Sequence, residues 1–215
     1  MRTGISRTQG VLLLLLIGHL LLLSVACDRK ERPDILALAK RIANTRFKGY
    51  TYGDQLDKKQ INCVQFVAAV VEELLHRKLT KEEYAAIYMS YEFENLDNAV
   101  SKEDDRTRGI QRCLVDVLGV AETIQRDNAA PGDFVQYWYK TSEGHWCGHV
   151  AIVNTVWQDN AGNSRVSLFG SHKSSNGIAV ASFNGGLVLD DTKKVYMCRL
   201  TRISDESDNP RPQKN

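Results

Sequence analysis

The sequence predicts an α+β fold, with N-terminal helices packed on a C-terminal antiparallel sheet of about five strands. Two observations carry this. In the first half of the chain, apolar residues recur at three- and four-residue intervals, the spacing of a buried helix face. From Phe134 the period changes to short runs between turn residues, over 134–139, 149–157, 165–170, 177–183 and 194–201. Helices followed by strands is the order of an α+β domain, not of alternating βαβ units.

The chain has 215 residues, enough for one domain with a real core. Its 43% hydrophobic and 25% charged content is ordinary for a soluble globular protein. Residues 1–26 read as a secretory signal peptide. Arg2 and Arg7 make a positive start, residues 11–23 are nearly all Leu, Ile and Val, and Ser24-Val25-Ala26 precede Cys27. The apolar run is short for a membrane anchor. Small residues before Cys27 resemble a lipoprotein processing site, which would leave Cys27 to carry lipid. Residues 27–34 are then a tether, and export to the cell envelope is expected. Removal of 1–26 takes two arginines and leaves 26 basic against 26 acidic side chains. Zero formal charge argues against a nucleic-acid partner.

Along the mature chain, residues 35–47 form a helix with Ile35, Leu36, Leu38, Ala39, Ile42 and Ala43 on its apolar face. Gly49-Tyr50-Thr51-Tyr52-Gly53 breaks it, and a polar loop leads to Asn62. Asn62 is a good N-cap, Cys63 follows in the first turn, and Phe66, Val67, Val70, Val71 and Leu74 repeat at helical spacing. Thr80 with Glu83 is a capping box for the next helix. Residues 97–109 are charged and read as a solvated loop, close enough to the Cys63 helix to form a lip over a cleft. Residues 110–118 form a helix ended by Gly119. Pro131-Gly132-Asp133 is a turn into the first strand, and 159–163 and 184–186 are further turns. Residues 203–215 are a polar tail.

Cys63 carries the chemical interest. A cysteine in the first turn of a helix meets the positive end of the helix dipole, which favours thiolate. That makes it a candidate nucleophile, against the common use of cysteine as a small buried hydrophobe. A nucleophile of this kind needs a base to move its proton. His149, at the expected start of a strand and so at the rim of the sheet, is the candidate. The base needs a partner to fix its ring, and His172, Ser171 and Asn176 are the candidates. His145, Cys147 and His149 alternate onto one strand face as metal ligands would, but no fourth ligand is evident, and no metal is expected. An exported chain could pair two of the cysteines left over from Cys27 and Cys63.

Tyr50-Thr51-Tyr52-Gly53, Asn62-Cys63-Val64-Gln65-Phe66-Val67, Pro131-Gly132-Asp133-Phe134-Val135, Gly148-His149-Val150-Ala151-Ile152, Ser171-His172 and Gly177-Ile178 follow one another in that order. This series resembles the NlpC and CHAP groups of papain-like peptidoglycan hydrolases over residues 35–202. The Asp-Cys-Ser-Gly usual in those groups is Asn62-Cys63-Val64-Gln65 here. The resemblance implies a papain-like fold and a cysteine endopeptidase or amidase acting on peptidoglycan stem peptides. It assigns Cys63 as nucleophile, His149 as base, His172 as the orienting residue, and Tyr50 with Tyr52 to the cleft. It implies no cofactor. An acyltransferase on the same fold and an inactive wall-binding protein are the competing expectations.

Overall fold

The computed structural model describes residues 33–88, 93–181, 187–188 and 193–201. The expected signal peptide, Cys27, most of the expected tether, and the stretches expected as a turn at 184–186 and a tail at 203–215 lie outside them. Within them the protein is mixed α+β, with helices against an antiparallel sheet larger than the sequence suggests.

Helix α1 (Ile35–Thr45) starts on Asp34, whose side chain accepts the Ala37 N–H at 2.9 Å, and buries Ile35, Ala39 and Ile42. Two short strands follow, β1 (Thr51–Tyr52) and β2 (Gln60–Ile61), paired in parallel. Helix α2 (Cys63–Leu74) then runs into the core through Phe66, Val67, Val70, Val71 and Leu74. Its start is closed from both sides. The Asn62 side chain accepts the Gln65 N–H at 2.9 Å, and the Gln65 side chain accepts the Asn62 N–H at 3.0 Å. Helix α3 (Lys81–Ile87) has the expected Thr80–Glu83 capping box.

The charged stretch is not the loop its composition suggests. Helix α4 (Leu96–Ser101) starts on Asn95 and buries Ala99 and Val100, and a 3₁₀ turn (Asp105–Arg108) follows. Two small apolar side chains at adjacent positions are enough to seat it, although charge dominates the sequence around them. Helix α5 (Ile110–Arg112) widens into a π-helical turn (Cys113–Val117). The chain then reverses at Gly119, in the left-handed region at φ 65°.

Seven strands make the main sheet: β3 (Ala121–Ile124), β4 (Phe134–Lys140), β5 (Trp146–Gln158), β6 (Ser164–His172), β7 (Gly177–Ala181), β8 (Leu187–Val188) and β9 (Lys194–Leu200). Their order is β3-β9-β4-β5-β6-β7, with β8 paired to β6, and all neighbours are antiparallel. Strand β3, at the edge against β9, and the two-residue β8 raise the count above the five expected. Strand β5 also starts earlier than expected, at Trp146, so His149 is its fourth residue and not its first. Asp133, in the turn before β4, binds Arg199 of β9 at 2.7 Å and accepts the Ala130 N–H, which ties this turn to β9.

Alternation along the strands gives the sheet two buried faces. Phe134, Val150, Ile152 and Phe169 pack against α1 and α2. Val135, Tyr137, Ala151, Val153, Val166, Leu168 and Met197 form a second cluster on the other face. The ladder between β5 and β6 covers only part of their length. It ends at the Ile152–Phe169 pair, so Trp146 to Ala151 pair with β4 alone and Gly170 to His172 with β7 alone. The β1–β2 ribbon meets this open end. The fully buried Ser171 hydroxyl donates to the Ile61 carbonyl at 2.6 Å. Gly177 of β7 lies so close to the Tyr50 carbonyl that a Cβ would stand 2.7 Å from it.

Ser171 is thus a clamp between β6 and the residue next to the Asn62 cap. Ser171→Ala should reduce the unfolding free energy by about 1–2 kcal/mol. A urea midpoint unchanged from wild type would show that this hydrogen bond does not hold the ribbon.

Candidate active site

The open end of the β5–β6 ladder is where the sequence-predicted residues meet. Asn62 and its capping box aim the first turn of α2 at β5, and the sulfur of Cys63 faces the backbone N–H groups of Val150, Val64 and Cys63 itself. Val150 is the residue after His149. A cleft of about 220 Å³ follows, lined by Tyr52, Cys63, Val64, Ile87, Tyr88, Leu96, Gln136, Trp138, Gly148, His149 and Val150 among others. Leu96 in this wall belongs to α4, so the stretch read as a solvated lip does border the cleft, as a helix. Its neighbour Asp97 accepts the Trp146 N–H at 2.7 Å and contacts His145 Nδ1 at 2.7 Å, which ties α4 to the turn before β5.

His145 is engaged with Asp97, and among the described residues His145, Cys147 and His149 do not group as metal ligands. The four described cysteines, Cys63, Cys113, Cys147 and Cys198, are all free thiols. Cys113 and Cys198 are core residues. Burial pushes the Cys113 thiol up to about 12, and that of Cys198 also upward.

The β5–β6 register, carried three residues beyond the ladder, sets His149 opposite His172. Their rings lie 4.8 Å apart between centroids and 29° from parallel, and the Tyr137 ring sits 5.5 Å from His149 on its other neighbour strand. Here the geometry departs from the expected orienting hydrogen bond. The rings stack, and His149 Nε2 is buried with no hydrogen-bond partner among the described residues. His172 itself is almost fully buried at 1% exposure, not the exposed loop histidine that its sequence position also allowed. Of the other candidates for its role, Ser171 points to the opposite side of the strand and is engaged with Ile61. Asn176 is exposed in the β6–β7 turn at φ 50°.

Tyr52 lines the cleft, as expected. Tyr50 does not: its ring packs on Phe47 at 5.2 Å, edge to face, and belongs to the helix-side core. The two tyrosines are two residues apart, but Tyr50 precedes β1 and only Tyr52, within it, lines the cleft. A second, larger cavity of about 890 Å³ adjoins the cleft through Tyr52, Gly148 and His149. It is lined by Tyr137, Tyr139, Cys147, His172 and three lysines, Lys140, Lys173 and Lys193.

The chain matches no protein-family model and no curated protein. The chemistry of the cleft must be read from its own side chains. Burial raises the Cys63 thiol above its ordinary range, and the three N–H groups facing the sulfur only partly offset this. The helix terminus therefore does not leave Cys63 as a resting thiolate. Burial also pulls the His149 imidazole down to about 3, with His172 beside it adding to the effect. His172 is drawn down to about 4 by burial, against the carbonyls of Leu168 and Ala179. At neutral pH the cleft is lined by a neutral thiol at Cys63 and a neutral imidazole at His149, with no hydrogen bond between Cys63 and His149 Nε2.

Sequence reasoning missed Gln136. It lies on β4 opposite Val150, is 3% exposed, and its amide lines the cleft beside Cys63. The signal was present: it is the one polar residue in the run Phe134-Val135-Gln136-Tyr137-Trp138, at a position whose alternation faces α2.

The histidines carry a linkage consequence. Both have folded-state values below the unfolded one of about 6.5, so they favour the folded state fully above that pH. That contribution is lost as pH falls toward 4 and 3. Urea unfolding at pH 6.5 and pH 4 should therefore show a larger loss of stability for wild type than for His149→Gln. Equal losses would mean that His149 is not buried neutral.

Proposed function

We propose that the chain is a cysteine hydrolase of amide bonds, of papain-like type, acting on peptides of the bacterial cell wall. The observation that carries the reading is the shared cleft of Cys63 and His149, with the sulfur at a helix start against the N–H of the residue after the histidine. The ordered motifs around Tyr52, Cys63, Asp133, His149 and His172 support wall peptides as substrate. So does the export signal of residues 1–26. A lipid on Cys27 would hold the domain at the membrane facing the wall.

The mechanism follows from the groups present. His149 takes the Cys63 proton, and the sulfur attacks the amide carbonyl carbon. The N–H groups of Val64 and Val150, which face the sulfur in the free protein, are the nearest donors to the oxyanion formed there. The C–N bond breaks as His149 returns the proton to the leaving amine. Water, activated by the same imidazole, then releases the acyl group from the thioester. His172 packs against the His149 ring and holds it in place without an orienting hydrogen bond to Nε2. The residues present call for no cofactor.

Mass spectrometry of peptidoglycan fragments incubated with the exported domain should show a cleaved amide bond, and none with Cys63→Ala. His149→Ala should lower kcat by about 10³-fold or more, since members of such a unit fail together. His172→Gln, which preserves bulk beside His149, should retain much of the activity. Because the base must be neutral and its value is depressed to about 3, kcat/KM should hold as pH falls below 6.5 and decline only near pH 4. Unchanged fragments with wild-type protein, or full activity in Cys63→Ala, would remove the hydrolase reading.

A further inference from the structure

We propose that Gln136 is the residue that selects a peptide, and not an alkyl chain, for the cleft: its carboxamide hydrogen-bonds an amide group of the substrate next to the scissile bond. This rests on the amide-hydrolase reading only for which bond is broken. The recognition itself is a property of the cleft.

The argument starts from what a buried glutamine needs. A carboxamide has two donor hydrogens and an acceptor oxygen, and burying it without partners is unfavourable. The other buried glutamine, Gln111, shows the usual solution. Its Nε2 donates to the Met197 carbonyl at 2.9 Å, and its oxygen accepts from Arg108. Gln136 is more deeply buried, at 3% exposure, yet donates only to the carbonyl of its neighbour Tyr137, at a long 3.4 Å. Among the described residues its side chain makes no other hydrogen bond. A structural glutamine in an aromatic strand would be expected to find better partners, or to be apolar.

Its position supplies the missing partner. Gln136 pairs with Val150, whose N–H faces the Cys63 sulfur, so its side chain stands one strand away from the reacting group on the same face of the sheet. Cross-strand neighbours of this kind have Cβ atoms about 5 Å apart. A peptide group entering the cleft offers one N–H and one carbonyl, the complement of a carboxamide. An alkyl chain offers neither and would leave the Gln136 amide buried and unpaired. Sites built on such a group reject the analogue that lacks its partner more strongly than apolar pockets reject an extra methylene.

The test separates recognition from catalysis. The Cys63→Ala protein is titrated, with intrinsic tryptophan fluorescence as readout, against N-acetyl-dialanine methylamide and against methyl hexanoate. The same titrations are run on Cys63→Ala/Gln136→Met, a substitution close in shape. The double variant should bind the dipeptide about tenfold more weakly, as expected for loss of a buried hydrogen-bonded partner, and the ester no more weakly. Equal dipeptide binding by the two proteins, or equal weakening for both ligands, would overturn the proposal. With Cys63 intact, the ratio of dipeptide-amide to p-nitrophenyl butyrate turnover should fall in Gln136→Met. This ratio does not depend on how much of the variant is folded, and an unchanged ratio would also overturn the proposal. Should no amide be hydrolysed by wild type while the binding difference stands, the hydrolase reading fails and the recognition does not.

Discussion

The constraint on which the site depends is the point where β5 and β6 stop hydrogen bonding. Had the ladder continued past Ile152 and Phe169, the N–H of Val150 would be committed within the sheet. Instead it faces sulfur. The strands nevertheless keep their register, so His149 and His172 still lie side by side. One interruption thus does two things: it exposes backbone donors to the helix side and leaves the imidazoles together. The Ser171–Ile61 hydrogen bond and the close approach of Gly177 to Tyr50 fill the opening with the β1–β2 ribbon, which delivers Asn62 and Cys63 to it. The Ile61 carbonyl of that ribbon accepts the Ser171 hydroxyl, so this buried side chain is paired where the ladder stops.

Electrostatics in the site are set by dehydration more than by dipoles. The helix start contributes N–H groups to the sulfur, and in water that would favour thiolate. Enclosure by Tyr52, Trp138 and the strand reverses the balance, and the same enclosure keeps the imidazoles neutral. The thiol and both imidazoles are therefore uncharged in the folded protein at neutral pH.

The sequence was most readable where the determinants are local. Asn62 ahead of the Phe66, Val67, Val70 spacing, and Thr80 with Glu83, define helix starts by contacts three residues apart, and both stand in the structure. Strands β4 to β7 and β9 were readable from their runs, although their ends were not. What failed depends on partners distant in the chain. Strand β3 is an edge whose half-exposed pattern has meaning only beside β9. Helix α4 is seated by Ala99 and Val100 against the sheet, which a count of charges cannot reveal. Tyr50 and Tyr52 differ in role because Tyr50 precedes β1 and packs on Phe47, whereas Tyr52 lies within β1 at the cleft. The stacking of His172 on His149 is a matter of strand register, invisible in either segment alone. Gln136 was readable in principle, as a polar residue on an apolar strand, but its meaning required knowing that α2 leaves a cleft above it.

Gly148 has a part in the site despite having no side chain. The Trp138 indole lies against Gly148, so that a Cβ there would stand 2.6 Å from the ring, and the indole N–H is held by the Thr107 carbonyl at 2.8 Å. The indole is a wall of the cleft, and the bare backbone of Gly148 is the recess that keeps it withdrawn. The aperture beside Cys63 is therefore set by a hydrogen atom at position 148, and a single methyl group there would act as an occupant introduced from within, filling the opening without any ligand being bound.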